Sequence, residues 1–144
     1  MPGLLLDTNA MIWFLAEAAL EAEAMFAIAQ AQTDRALCVS PIAAWEAALG
    51  IRKANLDRRP NLNGQDAASW FSNGRRRMGA RLVSIGQAIA LEAARVPAVY
   101  GNGDPGDCYL IATARVRQLA IVTRDRKMIS LARSQPGYLR VIAC

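Results

Sequence analysis

The chain has 144 residues, 53% hydrophobic and 20% charged, with 17 basic against 12 acidic side chains and a formal net charge of +5. That length suits one domain with its own core, without a disulfide frame. There is no histidine, which excludes a His general acid–base pair, a Ser-His or Cys-His triad and His-ligated zinc.

The elements alternate along the chain. Leu4-Leu5-Leu6 is a short apolar strand that stops at Asp7-Thr8-Asn9. Helical patterns follow from Ala10 to Leu15 and from Glu17 to about Ala31. Ala36 to Val39 is a buried strand. Ser40-Pro41 supplies an N-cap and a first-turn proline for a helix reaching about Lys53. Asp57 to Gly64 is a loop. Gln65 to Arg77 is a helix and Arg81 to Val83 a strand. Gln87 to Val96 is a helix that stops before Pro97, and Tyr100 to Gly103 is a loop. Asp104-Pro105 opens a helix to about Arg117. Ala120 to Thr123 is a strand, Asp125 to Ser134 a helix, Gln135-Pro136-Gly137 a turn and Leu139 to Ile142 a last strand. Short apolar strands between helices predict a parallel sheet covered on both faces: one three-layer α/β/α domain over residues 1–144.

Fifteen of the basic residues are Arg, whose planar fork grips phosphate bidentately. The charge suits a nucleic-acid partner; Arg52, Lys53, Arg58 and Arg59 form one basic stretch, and a second, Arg75 to Arg77 with Arg81, reads rather as a solvated face. Arg124 and Arg126 flank Asp125 and are the basic residues best placed to meet a phosphate backbone. Trp13, Trp45 and Trp70 lie on apolar helices and read as core or interface. Cys38, Cys108 and Cys144 have no metal spacing. They read as reduced thiols of a cytoplasmic protein. No signal peptide is expected, and no apolar run is long enough to span a bilayer.

If the chain is an enzyme, carboxylates must do the chemistry. Ligands of open α/β sheets bind beyond the carboxyl ends of the strands. Asp7 follows the first strand, Asp125 the fourth, Asp107 opens a helix and Glu46 lies on the helix after the second strand. All four could meet on one rim. Clustered carboxylates repel unless a divalent cation neutralises them, and Mg²⁺ or Mn²⁺ prefers oxygen ligands. Each acid also has a plain structural reading. Asp7, Asp104, Asp107 and Asp125 could simply cap helices, and Glu46 could face solvent.

Four segments in order carry a resemblance: Leu4 to Asn9, Ser40 to Glu46, Asp104-Pro105-Gly106-Asp107 with Leu110 to Ala114, and Ile121 to Asp125. Together they resemble the PIN domain, and within it the VapC-type toxins of bacterial toxin–antitoxin pairs, over essentially the whole chain. The resemblance implies that Asp7, Glu46, Asp107 and Asp125 bind Mg²⁺ or Mn²⁺, with Asp104 auxiliary and Thr8, Asn9 and Thr123 orienting the carboxylates. It implies an endoribonuclease acting on RNA, a cognate antitoxin protein as inhibitor, and a homodimer. Two positions depart from the pattern. Asn102 and Gly103 stand where His is frequent, and Cys108 stands where Arg is frequent. The rival readings are a catalytically silent binding module of the same fold and a metal-dependent phosphatase. The apolar segment from Ala10 to Ala31 is expected to supply both core and a partner surface.

Overall fold

A computed structural model describes residues 3–144. Five strands, β1 (Leu4–Leu6), β2 (Leu37–Val39), β3 (Arg81–Leu82), β4 (Ala120–Thr123) and β5 (Val141–Ala143), form one sheet in the order β3-β2-β1-β4-β5. Every pairing is parallel. β1 is central, with Leu4 to Leu6 opposite Ala120 to Val122 of β4.

Side chains alternate across a strand, and this divides the core in two. Leu4 and Leu6 face α1 (Thr8–Leu15), α2 (Ala22–Thr33), α3 (Pro41–Gly50) and α4 (Ala67–Met78). Leu5 and Ile121 face α5 (Gln87–Tyr100), α6 (Pro105–Arg117) and α7 (Arg126–Ser134). Leu5, Leu6 and Ile121 are wholly buried, each worth roughly 1.5–3 kcal/mol of transfer free energy. This is the three-layer α/β/α arrangement with a parallel sheet. Among the described residues no helix is long and apolar enough to cross a membrane.

Some boundaries differ from the sequence reading. α2 begins at Ala22 rather than Glu17, because the chain must turn back between α1 and α2, and Glu17 takes a left-handed φ of 59° to do so. α3 ends at Gly50, short of Lys53, and a single 3-10 turn at Leu56–Arg58 sits at the edge of the expected loop. The last strand runs from Val141 to Ala143, where it pairs with β4, rather than from Leu139.

The largest correction is α5. It does not stop before Pro97 but continues to Tyr100. Proline removes one N–H from the helical ladder and crowds the preceding turn. Pro97 is solvent-exposed, while Ala93 and Val96 beside it are buried in the core and hold the helix through the proline. The helix closes one turn later, where the Gly101 N–H donates to the Pro97 carbonyl and Gly101 adopts φ 74°. α5 and α6 pack against each other beside the sheet's carboxyl edge.

Candidate active site

Four elements deliver the acids. β1 ends in Asp7, whose Oδ1 accepts from the Ala10 N–H at 2.7 Å and caps α1. Ser40 caps α3 with Pro41 in its first turn, and this sets Glu46 on the second turn. Asp104 caps α6 through the Asp107 N–H at 3.1 Å, which fixes Asp107 three residues on. Asp125 follows β4 and caps α7, its Oδ1 accepting from the Lys127 and Met128 N–H groups at 2.8 and 3.0 Å. The plain reading of Asp7, Asp104 and Asp125 as caps is therefore correct as local structure. It does not compete with a site, because one carboxylate can cap a helix and still face a cleft.

Asp7, Glu46, Asp107 and Asp125 border one cleft of about 220 Å³, together with Thr8, Asn9 and Arg124. Asp104 lies outside that lining and is exposed. Hydroxyl groups hold three of the acids. Thr123 donates to Asp7 Oδ2. Thr8 donates to Glu46 Oε1 at 2.5 Å. Tyr100 donates to Asp107 Oδ2 at 2.9 Å. Thr123 Oγ1 also accepts from the Asp125 N–H at 2.9 Å, so one hydroxyl links two of the acids.

The electrostatics mark the acids as one group. Burial pushes Asp7 from its ordinary 3.8 up to about 6, opposed by the bonds from Thr123 and Ala10 and reinforced by Asp107 and Asp125. Burial likewise pushes Asp107 up to about 6, with the Tyr100 bond opposing and Asp104, Asp125 and Glu46 reinforcing. Glu46 is raised by burial, and further by Asp104 and Asp7, against the Thr8 bond. Asp7, Asp107 and Glu46 are thus each raised in part by neighbouring carboxylates, the repulsion expected of acids sharing a site.

The donor set fits a hard divalent cation. It is all oxygen. Glu46 Oε2, Asp107 Oδ1 and Asp125 Oδ2 accept no hydrogen bond among the described residues. Space for one of them is reserved by a missing side chain. A Cβ at Gly106 would lie 2.7 Å from Glu46 Oε2 and 2.8 Å from its carboxyl carbon. No three Asp, Glu or Cys side chains among the described residues already enclose one point as a ready ligand set. The acids frame an open cleft rather than a closed cage, and an ion that keeps several waters, as Mg²⁺ does, suits such a cleft.

Two contributors escape the sequence reading. Tyr100 falls in the stretch that reads as a loop, because Pro97 reads as a helix end, whereas α5 runs through it. Gly106 gives no signal, since its need for space depends on the distant Glu46. Arg124 borders the cleft and is held in place there. Its Nε donates to the Cys144 carbonyl at 2.9 Å, its Nη2 donates to the Ala19 carbonyl at 2.7 Å, and its guanidinium lies 4.1 Å over the Trp13 ring. Arg124 and Trp13 form a fixed wall.

The family model of the PIN domain matches residues 4–134. No curated protein matches the chain. Several solved structures do. DNA-bound VapBC from Salmonella typhimurium is 15% identical with a TM-score of 0.66, covering 99% of this chain and 98% of that one. VapBC2 from Rickettsia felis, bound to a promoter fragment, is 11% identical with a TM-score of 0.66, covering 97% of each chain. A toxin–antitoxin complex from Klebsiella pneumoniae is 18% identical with a TM-score of 0.54, covering 97% of this chain and 96% of that one. At such identities the likeness is one of fold.

Proposed function

The chain belongs to the PIN-domain family, and from that membership we propose that it is a metal-dependent endoribonuclease, the toxin of a toxin–antitoxin pair, acting in the cytoplasm as one nuclease domain spanning residues 1–144. The observation that carries this reading is the convergence of Asp7, Glu46, Asp107 and Asp125 on one cleft in a chain without histidine. These four would hold Mg²⁺ or Mn²⁺, with Asp104 adding negative charge from the rim. When bound, the ion supplies Lewis-acid charge at the scissile phosphate.

The protein's own part is orientation and charge. Thr123, Thr8 and Tyr100 each fix one carboxylate oxygen and leave lone pairs of that group for other partners. Asn9 is exposed at the cleft edge and offers an amide to substrate or water. At pH 7 Asp7 and Asp107 lie above their raised values and are mostly ionised, the state a cation requires.

RNA cleavage is expected to need Mg²⁺ or Mn²⁺ and to fall to background in excess chelator. Undiminished cleavage in EDTA by carefully purified protein would remove the metal mechanism. Turnover of small phosphomonoesters without cleavage of RNA would move the reading to a phosphatase.

The toxin reading also calls for an antitoxin and a second copy. Met25 and Phe26 of α2 are 43% and 72% exposed, so part of the apolar segment between Ala10 and Ala31 is surface, while Ile28 is core. We assign that surface to the antitoxin. Trp45 and Leu49, one turn apart on α3, are 46% and 50% exposed and are assigned to a homodimer. Hydrogen exchange separates the two. Antitoxin should slow exchange over residues 22–33, and dilution of the free protein should speed it over residues 41–50. Unchanged exchange in either segment removes the corresponding assignment.

A further inference from the structure

A second groove adjoins the acid cleft. It measures about 520 Å³ and shares Thr8, Asn9, Trp13 and Glu46 with the cleft, so the two lie side by side along those residues. Its far end is basic, lined by Lys53, Arg58 and Arg59. All three are exposed, and none is in an ion pair among the described residues.

This basic end is built rather than loose. The segment after α3 folds back on the helix, and Pro60 packs where a side chain at Gly50 would be. A Cβ there would lie 2.9 Å from Pro60 Cδ. Arg59 Nε donates to the Lys53 carbonyl at 2.7 Å, which fixes the guanidinium beside the lysine. Asn55 caps the 3-10 turn that carries Arg58. Asp57 belongs to the same turn but does not line the groove. The cluster Arg75 to Arg77 is arranged otherwise. It closes the last turn of α4, lines neither the cleft nor this groove, and Arg77 pairs with Glu17 at 3.4 Å.

A groove that is acidic at one end and cationic at the other suits a polyanion with one phosphate at the acids and its neighbours at the bases. We propose that this groove is the track for the single-stranded RNA flanking the scissile phosphate, with Lys53, Arg58 and Arg59 binding its phosphates. The inference rests on the nuclease reading for what happens at the acid end, but not for the binding itself.

The test therefore measures binding without turnover. A short fluorescein-labelled single-stranded oligoribonucleotide is titrated with the full chain in EDTA, by anisotropy, over a range of salt. In the Lys53→Ala/Arg58→Ala/Arg59→Ala variant, the slope of log affinity against log salt should be shallower by about 2 and affinity about a hundredfold lower at about 0.1 M salt, as loss of three phosphate contacts requires. Replacing only the two arginines by lysine should keep most of the slope, since the charge remains. The matched variant Arg95→Ala/Arg117→Ala/Arg133→Ala removes as much charge from surfaces outside the groove and should bind nearly as the parent does. Equal losses in both triple variants would mean that net charge alone is responsible, and the track would be wrong. Unchanged RNA binding with weakened binding of a labelled polyglutamate peptide would assign the groove to an acidic polypeptide and overturn the proposal. RNA binding that depends on the groove in a protein that cleaves nothing would leave the track standing and remove the nuclease reading.

Discussion

Asp7→Asn should lower RNA cleavage by about a hundredfold or more while leaving the metal-free protein as stable as the parent, or more so. Asn keeps the size of the side chain and one carbonyl oxygen, and it caps a helix as well as Asp does. The bond from the Ala10 N–H therefore survives. What is lost is a unit of negative charge where a cation would sit. Weaker charge stabilisation in the transition state is worth several kcal/mol, which sets the hundredfold scale.

The gain in stability has a sign and a pH window. The unfolded chain gives up the Asp7 proton near 3.8 and the folded chain near 6. Between these values the folded state binds more protons, so the parent loses stability as pH rises through the window, by on the order of 2–3 kcal/mol for this group. The Asn side chain does not titrate, so this loss should be absent from the variant. Part of the gain is offset at Thr123, whose hydroxyl donates to Asp7 and accepts from the Asp125 N–H, and must re-pair. Denaturant melts in EDTA between about pH 4 and pH 8 follow this linkage. Asp34→Asn is the control, because Asp34 is exposed at the end of α2, outside the cleft. Equal cleavage rates for the two variants at saturating metal would falsify the assignment of Asp7.

Gly106→Ala should separate folding from activity in the opposite manner to a core mutation. Gly106 lies in the first turn of α6, and alanine is the better helix former by about 1 kcal/mol in a helix interior. On backbone grounds the fold should tolerate or welcome it. The new methyl would sit 2.7 Å from Glu46 Oε2 and 3.1 Å from Oε1. The carboxylate is the far end of a flexible side chain, so it moves and the helix does not. A displacement of about 1 Å at a reacting centre costs on the order of a hundredfold. Cleavage should fall by roughly that factor, the metal concentration for half-maximal rate should rise, and the melting midpoint should hold or increase. Adding Glu46→Asp, which shortens the side chain by one carbon, should recover part of the metal response. An unaltered metal dependence in Gly106→Ala would show that Glu46 does not act where it is placed.

Much of this site was legible because it follows chain-local rules. An apolar triplet broken by Asp7, a Ser40-Pro41 helix start and an Asp104-Pro105 start each fix a position in sequence, and a parallel sheet gathers such positions at one edge. What could not be read depends on distance in space. The space needed by Glu46 is set by Gly106, on another helix. The carbonyls of Ala19 and Cys144 that hold Arg124 in place are likewise not displayed by sequence pattern. Tyr100 is hidden by a local rule applied too strictly: Pro97 weakens a helix but need not end it where core residues such as Ala93 and Val96 hold it.

The place of β1 in the sheet also orders events during synthesis. Of the five strands of the sheet the central one is made before the others, and its partner β4 is made more than a hundred residues later. Asp7 takes its hydroxyl partner from that late strand, and Asp125 follows it directly. A nascent chain that has not yet emerged past β4 lacks the strand that seats Asp7, the hydroxyl that orients it and the fourth acid together. On the ribosome, surrounded by RNA, the chain thus carries Asp7 well before the other acids and completes the set only once β4 and Asp125 have been made.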